Sequence, residues 1–429
     1  MNPGAILQEL DWRGLYADCT DRDALQQRTA AGPLVLYCGF DPTSDSLHVG
    51  NLIPLLALRR FQLAGHHPIA LAGGATGMIG DPSGKSDERN LLTPDQLERN
   101  LASITPQLER FLDFSTTSNP ARVVNNYDWT APIPVLDFLR DVGKHITVNS
   151  MVAKDSVRAR MEDRASGISF TEFSYMLLQG FDFYHLRNTF NCELQIGATD
   201  QWGNITVGTE LTRKKLGVAV WGLVSPLLVK ADGTKYGKSA EGAVWLDRNK
   251  TSPYRFYQFF VNTDDADVVK LLKTLTFLSA DAIADLEAAV RMRPEARDAQ
   301  RSLAQEMTTL VHGTDAAGAA AAASGILFGG SVGDVPEGAL AEIAGEVPTC
   351  DLSMATFEGP AVPIIDLLVQ SGLAESKSDG RRAVESGGVY VNNVRAEGAS
   401  RGVTKTDLLF GKYVLLRKGK RNYALVHVR

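Results

Sequence analysis

The chain has 429 residues and a mass of 46.4 kDa, more than one ordinary hydrophobic core accommodates, so two or three domains are expected. Its composition is that of an ordinary globular protein, 44% hydrophobic and 22% charged, and no run of about 18 apolar residues occurs, which argues against a membrane span or leader and for a cytoplasmic protein. Cys19, Cys38, Cys192 and Cys350 form no C-x-x-C pair, which argues against a disulfide framework and against a metal site, and the net charge of -6 hides an asymmetry: Pro363 to Arg429 carries 12 basic against 6 acidic residues, the mark of an RNA-touching appendage on an acidic body.

In chain order, Leu34-Val-Leu-Tyr-Cys38 is β-rich and apolar, as in a strand covered on both faces of a parallel sheet. Asp41-Pro-Thr-Ser-Asp45 breaks it, and a helix opens near His48-Val-Gly-Asn51 and carries Leu52, Leu55, Leu56 and Phe61. Gly50 leaves room for a flat base against the backbone, and His48 and Asn51 place donors at a helix N-terminus that already favours anions. The turn therefore reads as a phosphate-binding nucleotide site; taken alone it also fits a plain strand-turn-helix connection.

Pro68-Ile-Ala-Leu-Ala-Gly-Gly74 reads as a second buried strand. The loop after it nearly matches a Walker phosphate loop but has Ile79 where glycine is required, and Pro82 intrudes. Thr93-Pro-Asp-Gln96 caps a helix whose Leu97, Leu101, Ile104, Leu108 and Phe111 form a core stripe. Arg122-Val-Val-Asn-Asn126 and Cys192-Glu-Leu-Gln-Ile-Gly197 are further strands separated by helical pattern. This alternation argues for α/β class, a right-handed, doubly wound parallel, Rossmann-like sheet with ligands at the carboxyl ends of its strands. Between those strands, Tyr175, Gln179 and Asp182 share one face of an otherwise apolar helix, a polar strip suited to a small-ligand pocket.

Lys235-Tyr-Gly-Lys-Ser239 presents two lysines and a hydroxyl on a glycine-containing loop after the Asp232-Gly233 turn. Helical pattern then dominates to about Ala323. From Phe328 to Pro360 the chain is Gly/Pro-rich and reads as linker, and the basic tail combines a short helix, a Ser-capped helix with Arg381 and Arg382, and a β-run ending in Asn392-Asn393. The expected division is 1–250 catalytic, 251–326 all-α, 327–360 linker and 361–429 a small α+β RNA-binding domain.

The Pro42-Thr43...His48-x-Gly50-Asn51 element and the Lys235-x-x-Lys238-Ser239 loop together resemble the two signature motifs of class I aminoacyl-tRNA synthetases. With Leu36-Tyr-Cys-Gly-Phe-Asp-Pro-Thr43, Gly77-Met-Ile-Gly-Asp-Pro-Ser-Gly-Lys85, Asn125-Asn-Tyr-Asp-Trp129 and Gln195-Ile-Gly-Ala-Thr-Asp-Gln-Trp-Gly-Asn204 in the same order, nearly the whole chain resembles the bacterial-type tyrosyl-tRNA synthetases, and the tail their S4-like domain.

The resemblance implies ATP-dependent activation of L-tyrosine and its transfer to tRNA(Tyr), with Mg2+ accompanying ATP, by a protein expected to be a homodimer with Phe170 near the contact. It places Tyr37 and Asp182 on the substrate phenol, Tyr175, Gln179 and Asp81 on its ammonium, and Gln195 among the tyrosine contacts. It places Cys38, Gly39, Asp41, Gly50, Asp200, Gln201 and Ser239 around ATP or the substrate carboxylate. Thr43, His48, Asn51, Lys235 and Lys238 would grip the phosphates, with Lys85 and Arg89 adding to the field and Arg381 and Arg382 touching RNA. Three departures stand out: Asn51 for the pattern's final His, Tyr236 for Phe or Met, and Ala198 for a glycine near the nucleotide. The competing readings are the same chemistry on tryptophan, which the hydroxyl-binding pair disfavours, and a non-catalytic RNA-binding or regulatory protein on a synthetase scaffold.

Overall fold

The structure is a computed structural model that describes residues 2–83, 92–162, 167–234, 236–239 and 242–429, the side chains at 156, 159, 162, 238 and 239 excepted. Its contacts divide the chain into two compact units, Met1–Asp247 with Asp264–Met292, and Arg248–Thr263 with Arg293–Arg429.

The first unit is built on a six-stranded sheet: β1 (Asp18–Cys19), β2 (Val35–Phe40), β3 (His67–Ala72), β4 (Arg122–Asn125), β5 (Cys192–Ala198) and β6 (Trp221–Ser225), in the order β1-β6-β5-β2-β3-β4. β2 to β6 pair in parallel, and β1 runs antiparallel along the β6 edge. The chain winds outward from β2 through β3 to β4, then crosses back to lay β5 and β6 on the other side. The order reverses between β2 and β5, and a crevice opens beyond the carboxyl ends of strands at such a reversal. The four strands expected from the sequence are present; β1 and β6 are additional, Trp221–Ser225 being a short apolar run that the sequence reading did not single out.

Helices cover the sheet: α1 (Leu52–Leu63), α2 (Pro94–Phe111), α3 (Phe170–Phe190) and α4 (Trp202–Leu216). α2 begins as expected, with the Thr93 hydroxyl accepting from the Gln96 amide in a reciprocal capping box. Leu97, Ile104, Leu108 and Phe111 are buried, but Leu101 is only half-buried, at the wall of a groove. α3 starts on the Ser169 cap and runs 21 residues to Asn191, which closes it in the left-handed region at φ 55°. Tyr175 and Asp182 are buried along it, so its polar strip faces inward.

Helices Asp265–Leu275 and Ala280–Met292 also belong to the first unit, although the sequence grouped them with the following helices. Two buried arginines explain the attachment. Arg13 donates to the carbonyls of Lys273, Thr276 and Leu278, and Arg60 to those of Thr274 and Thr276, satisfying acceptors left open where helix Asp265–Leu275 ends.

In the second unit, helices Pro253–Val261, Asp298–His312, Thr314–Leu327 and Glu337–Ala344 accompany a five-stranded sheet. Its strands are Val394–Arg395, Val389–Val391, Tyr413–Lys418, Asn422–Val428 and Thr349–Leu352, in that order, with helices Ile364–Gln370 and Lys377–Glu385 beside them. The stretch 327–360 is thus not simply linker. Ala339, Leu340 and Ile343 are fully buried in one cluster with Ala323, Ile326, Tyr413, Leu415, Tyr423 and Leu425, and Thr349–Leu352 pairs in parallel with Leu425–Val428. Its Gly/Pro punctuation was legible, but besides Ala323 and Ile326 the residues that bury it, Tyr413, Leu415, Tyr423 and Leu425, lie far along the chain.

Candidate active site

A cleft of about 380 Å³ lies at the β2/β5 reversal. β2 and its loop contribute Tyr37, Cys38, Gly39, Asp41 and Thr43; the following turn contributes His48, Gly50 and Asn51. Asp81 follows β3, Tyr175, Gln179 and Asp182 project from α3, and Gln195, Asp200 and Gln201 come from β5 and the turn after it. Candidates spread over more than 160 residues of sequence therefore share one wall.

At the inner end, Tyr37 is 1% exposed, its ring edge-on to Phe183 at 5.4 Å, and its hydroxyl has no hydrogen-bond partner among the described residues. Asp182 is 2% exposed; it accepts from Asn126 Nδ2 at 3.0 Å and from Trp129 Nε1 at 2.9 Å. Burial pushes its carboxyl up to about 7 despite those two donors. Burial first, and the charge of Asp182 second, raise the Tyr37 phenol well above its ordinary value, so Tyr37 is a neutral hydroxyl. Gln195 Oε1 is likewise buried without a partner among the described residues. An unsatisfied buried polar group costs about 1–3 kcal/mol, and two of them at the end of a cleft beside a carboxyl match a ligand that brings its own hydroxyl.

Further out the polar groups are knitted together. Tyr175 donates to Asp41 Oδ2 at 2.7 Å and Thr76 to Asp41 Oδ1 at 2.6 Å, Gln201 Nε2 to Asp81 Oδ2 at 2.7 Å, and Asn204 Nδ2 to Gln179 Oε1 at 3.0 Å. Asn126 links the two ends, donating to Thr76 Oγ1 at 3.0 Å as well as to Asp182. The carboxylates of Asp41 and Asp81 and the Gln179 carbonyl form an acceptor-rich shelf suited to an ammonium group. Asp41, expected from the resemblance beside ATP, is thus held against Tyr175 and Thr76.

In the turn after β2, His48 Nδ1 accepts from the Gly50 amide at 3.0 Å, which leaves Nε2 as the protonated, donating nitrogen. Asn51 Oδ1 accepts from the His48 amide at 3.0 Å, so its side-chain NH2 can donate outward. A Cβ on Gly50 would sit 2.7 Å from His48 Cε1, which is why glycine stands there. The second signature segment folds against the first. Val49 donates to the Val244 carbonyl and Leu246 to that of Leu47, both at 2.9 Å, and a Cβ on Gly237, whose φ is +98°, would lie 3.2 Å from the Gly50 nitrogen. Lys238–Ser239 forms a short antiparallel pair with Gly242–Ala243. Lys85, Arg89 and Lys235 lie outside the described residues. Tyr236 is buried and donates its amide to the Leu228 carbonyl, and Ala198 lines the cleft.

Thr76, Asn126, Trp129 and Asn204 have roles that residue-by-residue reasoning did not assign. The signal was the two segments that contain Asn126, Trp129 and Asn204, which matched family motifs but carried no periodicity or charge pattern of their own. Arg381 and Arg382 are exposed on helix Lys377–Glu385 of the second unit and are not among the residues that line the cleft. Among the described residues no group of three or more His, Cys, Asp or Glu could hold a metal ion, and no helix is long and apolar enough to cross a membrane.

A doubly wound parallel sheet with the two signature segments folded onto each other at its switch point defines a class I aminoacyl-tRNA synthetase, and the sequence family "tRNA synthetases class I (W and Y)" matches residues 29–329. Residues 340–426 match the "Tyrosine--tRNA ligase SYY-like C-terminal domain". The chain is 64% identical over 423 residues to the tyrosine–tRNA ligase of Opitutus terrae, covering 99% of both chains, and 50% identical to that of Geobacillus stearothermophilus, covering 98% of this chain and 99% of the relative. Among solved structures it is similar to a C-terminally truncated mitochondrial tyrosyl-tRNA synthetase of Aspergillus nidulans, with 32% identity, a TM-score of 0.69, and coverage of 75% of this chain and 94% of that one. The chain belongs to the tyrosine–tRNA ligase family.

Proposed function

We infer that the chain activates L-tyrosine with ATP and transfers it to tRNA(Tyr). The tyrosine carboxylate attacks the α-phosphorus of ATP, pyrophosphate leaves, and the tyrosyl group passes from AMP to the ribose of the tRNA's terminal adenosine. No protein nucleophile takes part. The observation that carries the choice of tyrosine is the buried, unpartnered Tyr37 hydroxyl beside Asp182. The substrate phenol would accept from Tyr37 and donate to Asp182, while phenylalanine or tryptophan would leave the buried Tyr37 hydroxyl unsatisfied. Tyr175, Gln179 and Asp81 would hold the ammonium, with Asp41 behind Tyr175. Gln195 would complete the tyrosine pocket, and Cys38, Gly39, Asp200 and Gln201 would border the carboxylate and ribose.

Catalysis on this reading is positioning and charge stabilisation. His48 Nε2, Asn51 Nδ2 and Thr43 would donate to phosphate oxygens from the first segment, and Lys235, Lys238 and Ser239 from the second. Magnesium would accompany ATP and offset charge on its phosphates, and the described residues include no cluster of three or more His, Cys, Asp or Glu to hold it. Residues 361–429, with Arg381 and Arg382, would bind RNA. A homodimer is proposed on Val135, Leu136 and Phe170, which are 69%, 75% and 76% exposed, and a cytoplasmic location on the ordinary globular composition.

Tyrosine-dependent pyrophosphate exchange tests the reading. It should ignore phenylalanine and fall roughly 100-fold in a His48→Ala variant; folded protein with no tyrosine-dependent exchange would remove it. Truncation at 361 would uncover Ala323, Ile326 and Leu340, so the tRNA step is better separated with Arg381→Ala and Arg382→Ala, which should lower charging and leave exchange unchanged.

A further inference from the structure

A second cavity, about 680 Å³, opens between α2 and the edge strand β4 on the far side of Trp129 from Asp182. Leu101, Val124 and Phe190 give it an apolar lining, and Glu98 and Asp128 stand at it; among the described residues no lysine or arginine lines it, the nearest guanidinium named being that of Arg122, which lies over the Phe190 ring at 5.3 Å from its centroid. One wall is the Trp129 ring, stacked on His185 with centroids 4.5 Å apart and planes within 11°. Burial lowers the His185 pKa, so this imidazole is neutral near pH 7 and does not offset the two carboxylates.

We propose that this groove is a second small-molecule site, for a compact organic ammonium with an aromatic or aliphatic body, and that its occupancy is felt at Asp182 through the Trp129 indole. Shape and charge argue for the occupant together: an apolar body would cover half-buried Leu101 and Phe190, and an ammonium would meet the carboxylates of Glu98 and Asp128 beside the Trp129–His185 stack. A free amino acid is the poorer guest, since its carboxylate would face Glu98 and Asp128. The coupling follows from geometry. Trp129 lines the groove with its ring and donates its N–H to Asp182 Oδ1 at 2.9 Å, so a guest that tilts the ring lengthens a bond to the carboxyl that ends the tyrosine cleft. The binding stands on the groove alone; the coupling rests on the proposed role of Asp182 in tyrosine recognition.

The test is calorimetric titration of the full chain with phenethylammonium, which has no phenol for the first cleft, with and without saturating tyrosine. One equivalent should bind in both conditions. Affinity should fall at least 5-fold in a Glu98→Gln/Asp128→Asn double variant and be lost when Leu101→Trp fills the groove, while exchange without the probe stays at the wild-type rate in the double variant. In wild type the probe should shift the KM for tyrosine in exchange at least 3-fold with kcat little changed. No binding, or equal affinity in both variants, overturns the site. Full displacement by tyrosine overturns it too, by locating the probe in the first cleft. Binding that survives tyrosine without any KM shift overturns the coupling and leaves the site, and failure of tyrosine-dependent exchange itself strikes the reading of the first cleft instead.

Discussion

Two neighbouring side chains, Tyr37 and Asp182, carry the discrimination argued for the cleft, and each has a distinct consequence. Removing the phenolic hydroxyl in Tyr37→Phe eliminates one of two expected partners of the substrate hydroxyl. Such a bond contributes about 0.5–1.5 kcal/mol, so the KM for tyrosine should rise up to about 10-fold and the preference over phenylalanine should narrow by a similar factor; steady-state exchange with both amino acids measures it. Asp182 makes a statement about stability as well. Its folded-state pKa of about 7 lies above the ordinary 3.8, so between roughly pH 4 and 7 the native state holds a proton that the unfolded state has released. Stability therefore falls as pH rises through that window, by up to about 1.4 kcal/mol per unit from this group, and levels off above it. Asp182→Asn should remove that component, which urea denaturation of both proteins at pH 4.5, 5.5 and 6.5 would detect as a flatter dependence.

Among the elements, the turn after β2 and the end of α3 are constrained for different reasons. Gly50 is kept free of a side chain by the His48 ring that lies against it. In Gly50→Ala the added methyl must push the imidazole aside, and displacement of a group proposed to position phosphate should cost on the order of 10²-fold. The exchange rate at saturating substrates should fall by that amount while the far-ultraviolet spectrum is unchanged. At Asn191 the constraint is backbone handedness. Asn tolerates φ 55° better than alanine does, so Asn191→Ala should destabilise the first unit by about 1 kcal/mol and Asn191→Gly should be near neutral, read from the denaturation midpoint.

Across the whole molecule, the division into units departs from the order of helices along the chain. Arg13 and Arg60 reach the carbonyls at the end of helix Asp265–Leu275, over 200 residues away, and so claim that helix for the first unit. The second unit is closed in part by Leu340, a residue of the stretch that reads as linker. Leu340→Ala should therefore behave as a core truncation, costing about 2–5 kcal/mol in the unfolding of that unit; a variant with an unshifted thermal transition would mean that residues 337–344 do not belong to its core.

What the sequence determined by itself was the material for a nucleotide-binding α/β protein of this family: apolar β-runs separated by capped amphipathic helices, the Pro42-Thr43 to Asn51 turn, the Lys-Ser loop, and a polar strip at 175, 179 and 182. These are local signals, set by turn chemistry and by side-chain periods of two and 3.6 residues, and they survive without knowing what lies across the fold. Only the tertiary structure decided that Asn126 and Trp129 hold Asp182, that Asp41 stands behind Tyr175, that β1 and β6 extend the sheet, and that Leu340 is core while Leu101 is half-open. Each of those depends on partners tens to hundreds of residues away, and a hydrogen bond or a buried face is defined by what stands opposite it, which spacing along the chain does not encode.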